Sequence, residues 1–306
     1  MFNRRHLLQF GVLAATLAAL RAGWAAGDPP GHGLRQRPIP SSGEALPVIG
    51  LGTSRTHNVG LDDQALQPLV EVLQTLVNGG GRVIDTAPSY GSAERVAGEL
   101  VQRVAARDKV FLATKVSSRG VEAGRRQVEA SFTALQTERI DLIQVHNLQD
   151  TATQLRLLRE LKAQGRVRYI GVTHSSESAH DELLVTLQRE PGIDFLQVNY
   201  SVAERNAERR LLPYCAEHGI ATLINRPFTR GNLLSRVKDR PLPDWAIDVD
   251  ATSWAQLLLK FILAEPAVTA VIPATSHPRY MADNLLAGAG RLPDARQRAR
   301  IVEAFA

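Results

Sequence analysis

Gly81-Arg82-Val83-Ile84-Asp85-Thr86-Ala87-Pro88-Ser89-Tyr90-Gly91 is the stretch on which the chain turns. A short apolar run, Val83-Ile84, delivers an aspartate. A Thr-Ala-Pro-Ser turn follows, then Tyr90, a glycine and a helical pattern with Glu94 near its first turn. This reads as a buried strand, its βα loop and the start of a helix. A carboxylate buried at a strand end is costly unless a cation meets it. A tyrosine a few residues later can sit on the same rim.

The same rhythm repeats on either side. Extended apolar runs lie near 48–51, 82–84, 109–114, 140–145, 167–172, 194–198, 220–224 and 269–272. Helical patterns separate them at 62–78, 92–105, 121–137, 151–164, 177–190, 206–218 and 252–264, and two more at 279–289 and 295–305 close the chain. Asp62-Asp63 and Asp150-Thr151 supply acceptors at helix starts; Gly79, Gly165 and Gly219 supply stops. Strand and helix in alternation mean parallel strands with crossover helices. Eight such units in roughly 240 residues fit an α/β fold of the closed (β/α)₈ TIM-barrel type. A doubly wound sheet is the runner-up, but no Gly-x-Gly-x-x-Gly follows the first strand. Turn residues in 37–47 predict a short N-terminal β-hairpin ahead of the barrel.

The composition is globular, 44% hydrophobic and 22% charged over 306 residues, with no low-complexity tract. The formal charge of +5 suggests nucleic acid only until it is located. Arg4, Arg5 and Arg21 lie in the first 25 residues, and the remainder carries 33 basic against 31 acidic residues, interspersed. A nucleic-acid partner is therefore not expected. Residues 1–25 read as an export signal: Asn3-Arg4-Arg5-His6-Leu7-Leu8-Gln9 resembles a twin-arginine motif, and the apolar run Phe10 to Leu20 is too short to span a bilayer. Gly23-Trp24-Ala25 offers a small-x-small cleavage pattern. A plain Sec signal or an uncleaved anchor stays open. Residues 26–36 read as a linker and 37–306 as the barrel. The expected location is outside the cytoplasm, in the periplasm as for a twin-arginine substrate, with the export machinery as a partner and no stable membrane insertion after cleavage. Cys215, the lone cysteine, cannot make an internal disulfide.

In a barrel the chemistry collects where strands end. Asp85 ends the second run, with Tyr90 in its loop; Lys115 ends Val110-Phe111-Leu112-Ala113-Thr114-Lys115; His146 ends Ile140-Asp141-Leu142-Ile143-Gln144-Val145-His146. Each has a bland reading, as cap, packing or satisfied polar residue. Lys115 resists it, because a lysine closing an apolar strand is rarely buried unless paired. A phenol is a poor acid at neutral pH, and an ammonium within about 4–6 Å favours its phenolate. Asp85 would hold Lys115 charged, and His146 would bond the substrate oxygen or the phenol. No side chain here carries a hydride, so a reducing equivalent would come from a cofactor. A metal hydrolase would want more strand-end ligands than His146 and Asp85, and no metal is expected.

These residues resemble the aldo/keto reductase family from about residue 37 to the end. The resemblance rests on Leu46-Pro47-Val48-Ile49-Gly50-Leu51-Gly52-Thr53; Ile84 to Gly91; Thr114-Lys115; Ile140-Asp141-Leu142 through His146; Gly165-Arg166-Val167-Arg168-Tyr169-Ile170-Gly171-Val172; Gln197-Val198-Asn199-Tyr200; and Val271-Ile272-Pro273-Ala274-Thr275-Ser276 to Asn284. It implies a TIM-barrel enzyme that reduces an aldehyde or ketone with NADP(H), NAD(H) remaining open. Asp85, Tyr90, Lys115 and His146 would be the catalytic tetrad, with Tyr90 as the proton donor. The resemblance also implies that Gly52, Thr53, Thr173, His174 and Gln197 lie near the nicotinamide. Pro227, Phe228, Gly231 and Leu233 would line the pyrophosphate. Thr275, Ser276, Arg279 and Asn284 would meet the adenosine phosphate at a helix start.

The chain departs from that pattern in places. Thr173-His174 replaces a Ser-Asn pair, Asn225 or Arg226 stands where an aromatic stacks on the nicotinamide, and Ala274 and Tyr280 replace two cations for the 2′-phosphate. Arg279, one position off, is the substitute. The rival reading is a non-catalytic cofactor-binding or regulatory protein on the same barrel. Phe228, Trp245 and Trp254 suggest a partly hydrophobic carbonyl substrate, although they could equally pack inside the protein.

Overall fold

The computed structural model describes residues 33–305. The export signal and most of the linker, read at 1–25 and 26–36, lie outside them. Ten strands follow in chain order: β1 Gln36–Pro38, β2 Ala45–Pro47, β3 Leu51–Gly52, β4 Val83–Asp85, β5 Phe111–Val116, β6 Ile140–His146, β7 Val167–His174, β8 Phe195–Asn199, β9 Ala221–Asn225 and β10 Ala270–Val271. The helices are α1 Asp63–Asn78, α2 Ala93–Arg103, α3 Val121–Ala134, α4 Thr151–Ala163, α5 His180–Arg189, α6 Leu211–Glu217, α7 Asn232–Arg236, α8 Trp254–Leu263, α9 Pro278–Ala287 and α10 Ala295–Glu303.

Strands β3 to β10 pair in parallel with their sequence neighbours. Parallel bridges Ile49↔Val271 and Gly52↔Ala274 join the last strand to the first. The sheet is closed, so the (β/α)₈ barrel is the fold. Gly52 sits at this seam for a steric reason: a Cβ there would lie 2.8 Å from the Ile272 carbonyl oxygen.

Strand alternation divides the core in two. Outward residues such as Ile84, Leu112, Ile143 and Val172 join the helices in one large cluster. Inward residues Val83, Phe111, Ala113, Leu142, Tyr169, Phe195, Ala221, Leu223, Ala270 and Ile272 fill the barrel. Phe111, Tyr169 and Phe195 pack as a trio with centroids 5.6–5.9 Å apart. The predicted hairpin is β1 paired antiparallel with β2, and its Ile39 and Leu46 belong to this inner cluster. It plugs the N-terminal end of the barrel. Arg37 from the same hairpin donates to the carbonyls of Leu263, the last residue of α8, and of Glu265 and Val268 beyond it.

Asp62 accepts from the Ala65 amide and caps α1 as its position suggested. Asp150 does not cap α4. Its backbone is left-handed (φ 52°), and its carboxylate instead accepts from the Gly120 amide at 2.7 Å, tying two neighbouring βα loops together. Between the helical patterns read at 206–218 and 252–264, the 225–250 segment contains α7.

Candidate active site

The alternation that fills the barrel also aims the polar residues. Phe111 and Ala113 point inward, so Lys115 does too; Leu142 points inward, so Gln144 and His146 follow; Val83 brings Asp85. The polar layer lies above the apolar one, at the C-terminal end of the strands.

At its centre Lys115 is 1% exposed and Asp85 3%. Lys115 Nζ donates to Asp85 Oδ2 at 2.7 Å and to the Thr86 carbonyl at 2.8 Å. It also lies 5.1 Å from the Tyr90 ring centroid. Burial pulls the lysine down, but the Asp85 carboxylate and the Tyr90 phenol outweigh it and hold the ammonium above its ordinary pKa. Lys115 is therefore a buried cation at neutral pH. Tyr90 ends a single turn, Pro88–Tyr90, and packs edge-on to His146 at 6.1 Å. Gly91 after it has φ 68°, and a Cβ there would lie 2.2 Å from Asn58 Oδ1. Asn58 accepts from the Ser92 amide and pins the loop. Burial pushes His146 down to about 4, helped by Lys115 and His174, so its imidazole is neutral at pH 7.

A cavity of about 490 Å³ opens over this group. Asp85, Tyr90 and His146 line it; Lys115 lies beneath, behind Asp85 and Tyr90. Of the residues expected near a dinucleotide, Gly52, Thr53, Thr173, Gln197, Pro227, Phe228 and Gly231 line the same cavity. The others do not. His174 is half-buried, and its Nδ1 accepts from the Ser176 amide at 3.2 Å. Leu233 is 2% exposed in the outer core. Thr275 is buried, and its hydroxyl accepts from the His277 amide. Ser276 is half-buried, and Asn284 is buried on α9. Arg279 is exposed, stacked 4.6 Å from the Tyr280 ring and bonded to its hydroxyl. Thr275 and Ser276 do follow Ala274, which lines the cavity, and precede α9.

Gln197 has a second allegiance. Its Nε2 donates to Asp85 Oδ1 at 2.7 Å, and its Oε1 accepts from Thr173 at 3.2 Å. Gln144, not singled out in the sequence, approaches the same Asp85 oxygen at 3.5 Å. Its signal was present: it stands two residues before His146 and so shares its face. Arg55, Asn147, Ser175 and Arg230 also line the cavity from loops that no periodicity marks. Trp245 and Trp254 are elsewhere. Trp245 stacks under Arg300, and Trp254 packs edge-on to Phe305. The aromatic wall expected from them reduces to Phe228.

The residues fit a dinucleotide on two counts. Asn225 Oδ1 and Arg226 Nε, on two cavity-lining residues, are buried without a partner. Gly231 lines the cavity with φ 94°, and the place of its missing Cβ is open space. Among the described residues no cluster of three or more His, Cys, Asp or Glu side chains is arranged to hold a metal.

The sequence profile of the aldo/keto reductase family matches residues 48–304. The chain belongs to the aldo/keto reductase family. Its class is accordingly that of the NAD(P)H-dependent oxidoreductases. The chain is 31% identical to the aldo-keto reductase YhdN of Bacillus subtilis over 66% of its own length and 64% of that protein. It is 29% identical to the methylglyoxal reductase YeaE of Escherichia coli, over 79% and 86% of the two chains. An aldo/keto reductase of Klebsiella pneumoniae, solved in complex with NADP and acetate, superposes with a TM-score of 0.72. It is 26% identical, over 86% of this chain and 93% of that one.

Proposed function

We propose that this aldo/keto reductase reduces a small aldehyde or ketone to the alcohol, with Tyr90 as the proton donor. One observation carries the reading: a lysine 1% exposed, held between Asp85 and Tyr90 at the base of a cavity large enough for a carbonyl compound. A scaffold has no use for a buried ammonium that must be matched so closely.

The nicotinamide, when bound, supplies the hydride. The chain supplies the rest. The Tyr90 hydroxyl donates its proton to the carbonyl oxygen. The Lys115 ammonium stabilises the negative charge left on the phenol oxygen, in a site where burial strengthens that attraction. Asp85 keeps Lys115 charged and fixed at 2.7 Å. His146, neutral with its pKa near 4, offers a hydrogen bond to the substrate oxygen without competing as an acid. A positioned general acid contributes about 100- to 10,000-fold.

Gly52, Thr53, Thr173, His174 and Gln197 would hold the nicotinamide end, and Pro227, Phe228, Gly231 and Leu233 the pyrophosphate. Thr275, Ser276, Arg279 and Asn284 would meet the adenosine phosphate. NADPH is the first choice, with Arg279 in place of the two missing cations. A relative's name, methylglyoxal reductase, supports a small dicarbonyl aldehyde as the trial substrate. Residues 1–25 would direct the folded protein out of the cytoplasm by the twin-arginine route, leaving the linker from Ala26 and the barrel from 37 onward.

The test is a fluorescence titration with NADPH and NADH in parallel, after any bound dinucleotide has been stripped and identified. NADPH preference supports the reading whole, and NADH preference changes the cofactor alone. Failure to bind either, or methylglyoxal turnover unaffected by Tyr90→Phe, overturns it.

A further inference from the structure

Gln144 is a buried polar side chain that the reaction as described does not use. It is 0% exposed on β6, with Leu142 of the apolar filling two residues before it and His146 two after. In the strand register it stands between Lys115 on β5 and Gly171 on β7. Gly171 leaves it room: a Cβ there would come within 3.1 Å of Gln144 Cγ. Gln144 Nε2 faces Asp85 Oδ1 at 3.5 Å, the outer limit of a hydrogen bond. The other end of the amide has nothing, since Oε1 is buried with no partner. Turning the amide over would set that oxygen against the carboxylate, so Asp85 fixes its orientation. A buried polar atom left unpaired costs free energy, and an apolar side chain of similar size would avoid that cost. Packing does not account for a glutamine here.

The same Asp85 oxygen already has a donor. Gln197 Nε2 holds it at 2.7 Å, while Gln197 Oε1 accepts from Thr173 at 3.2 Å and from Asn225 at 3.5 Å. The two glutamines differ in one respect. Gln197 lines the cavity, and Gln144 is not among the lining residues. A ligand that brings an acceptor to the cavity floor can therefore draw the Gln197 amide away, and it cannot reach Gln144. Asp85 Oδ1 then loses its donor in a site where the residue is only 3% exposed, unless Gln144 closes on it. A movement of about 0.6 Å brings Gln144 Nε2 to an ordinary N–H···O distance of about 2.9 Å. The other oxygen, Oδ2, is the one that holds Lys115 Nζ at 2.7 Å. A carboxylate free to turn would move the ammonium that stands behind Tyr90.

The geometry points to Gln144 as a positioning residue, a reserve donor that takes over Asp85 Oδ1 when a cavity ligand claims Gln197 and so keeps Asp85 Oδ2 on Lys115. Two amides share one carboxylate oxygen at unequal distances. The short bond comes from the amide a ligand can reach, and the long one from the amide it cannot. Gln144 acts through Asp85 and Lys115 and not on the reacting atoms. The proposal rests on the reductase reading for the reaction whose rate Gln144 supports; the exchange of donors on Asp85 does not depend on that reading.

The experiment has one arm without turnover and one with it. In the full chain, stripped of any dinucleotide, urea midpoints are compared for Q144L, Q197L and Q144L/Q197L. Either glutamine alone keeps a donor on Asp85 Oδ1, so each single fall should be small and the double fall larger than their sum. A double variant that no longer folds while both single variants do is the extreme of the same result. Additive falls overturn the proposal. In the second arm, Q144L is expected to lower kcat for methylglyoxal about 10- to 100-fold, because a carboxylate that turns misplaces the ammonium behind the proton donor. Kd for NADPH, read by fluorescence, and KM should stay within a factor of a few. The thermal midpoint should hold or rise, since the stranded Oε1 is gone. If the branched leucine lowers it, Q144M, which keeps the unbranched shape, is measured in its place. An unchanged kcat overturns the proposal, and so does a rise in Kd or KM that accounts for the whole loss of kcat/KM. Absence of turnover in the unaltered chain would sink the reductase reading, and the urea arm would still decide the exchange of donors.

Discussion

At the N-terminal end of the barrel, Arg168 donates to Asp141 at 2.8 Å and also to Glu44; Tyr169 donates to Glu44 at 2.8 Å; and Asp141 accepts from the Leu112 amide. Arg82 and Arg107 extend the same network. At the C-terminal end, Lys115 and Asp85 are matched just as closely, yet Thr86 Oγ1, Gln144 Oε1, Asn225 Oδ1 and Arg226 Nε lie buried around them with no partner. Buried polar groups are normally satisfied, and each exception asks for a reason. The hairpin plug completes one end from within the chain. The other end leaves these four polar atoms unpaired.

That contrast can be broken most sharply at Tyr90. Tyr90→Phe should lower kcat/KM by about 100- to 10,000-fold while Kd for the dinucleotide stays within a factor of a few; steady-state kinetics beside a fluorescence titration decide it. Lys115→Met tests whether the mouth is also structural. It strands Asp85 in the interior and should cost about 3–5 kcal/mol of stability by urea unfolding, with turnover lost as well. Unaltered stability would mean that Asp85 finds solvent or another donor.

Acid should strain the mouth before the floor. Burial holds His57 and His146 at about 4, below the ordinary 6.5. Between those values the unfolded chain binds protons that the folded chain refuses, so stability is full above about pH 6.5 and falls as pH drops toward 4. For His57, which is 0% exposed, the loss is on the order of 3 kcal/mol. Thermal midpoints from pH 7 to 4 should fall, and His57→Gln should flatten the slope; parallel curves for the two chains would remove His57 as the cause. Lys260 on α8 acts at the other extreme. Burial lowers it to about 8, so stability should rise as pH climbs from about 8 toward 10.5.

The smallest effect belongs to the floor. Tyr169→Phe removes one hydroxyl from the Glu44 and Ser42 network and should cost about 1 kcal/mol. KM and kcat should not move. A change in KM would show that the two ends are coupled through the Phe111, Tyr169 and Phe195 trio.

Much of this was open to reading in one dimension. Local period marks strands and helices wherever one face is buried, and the barrel follows from their alternation. Asp85, Lys115 and His146 were visible because each ends an apolar run, where a charged or polar residue stands out against its neighbours. Gln144 was hidden because a polar residue inside a run carries no such contrast, although it shares an inward face with His146. The two tryptophans misled because composition says how apolar a segment is, and not which side of it faces the cavity.

By itself, the sequence determined the strand–helix order and the presence of an acid, a phenol, a lysine and an imidazole on one rim. These are properties of neighbours along the chain. Only the tertiary structure decided that Gln197 turns to Asp85, that Asp150 serves Gly120 rather than its own helix, and that the hairpin seals the floor. Each joins residues far apart in sequence, and such meetings are set by strand register and ring closure, which no local pattern encodes.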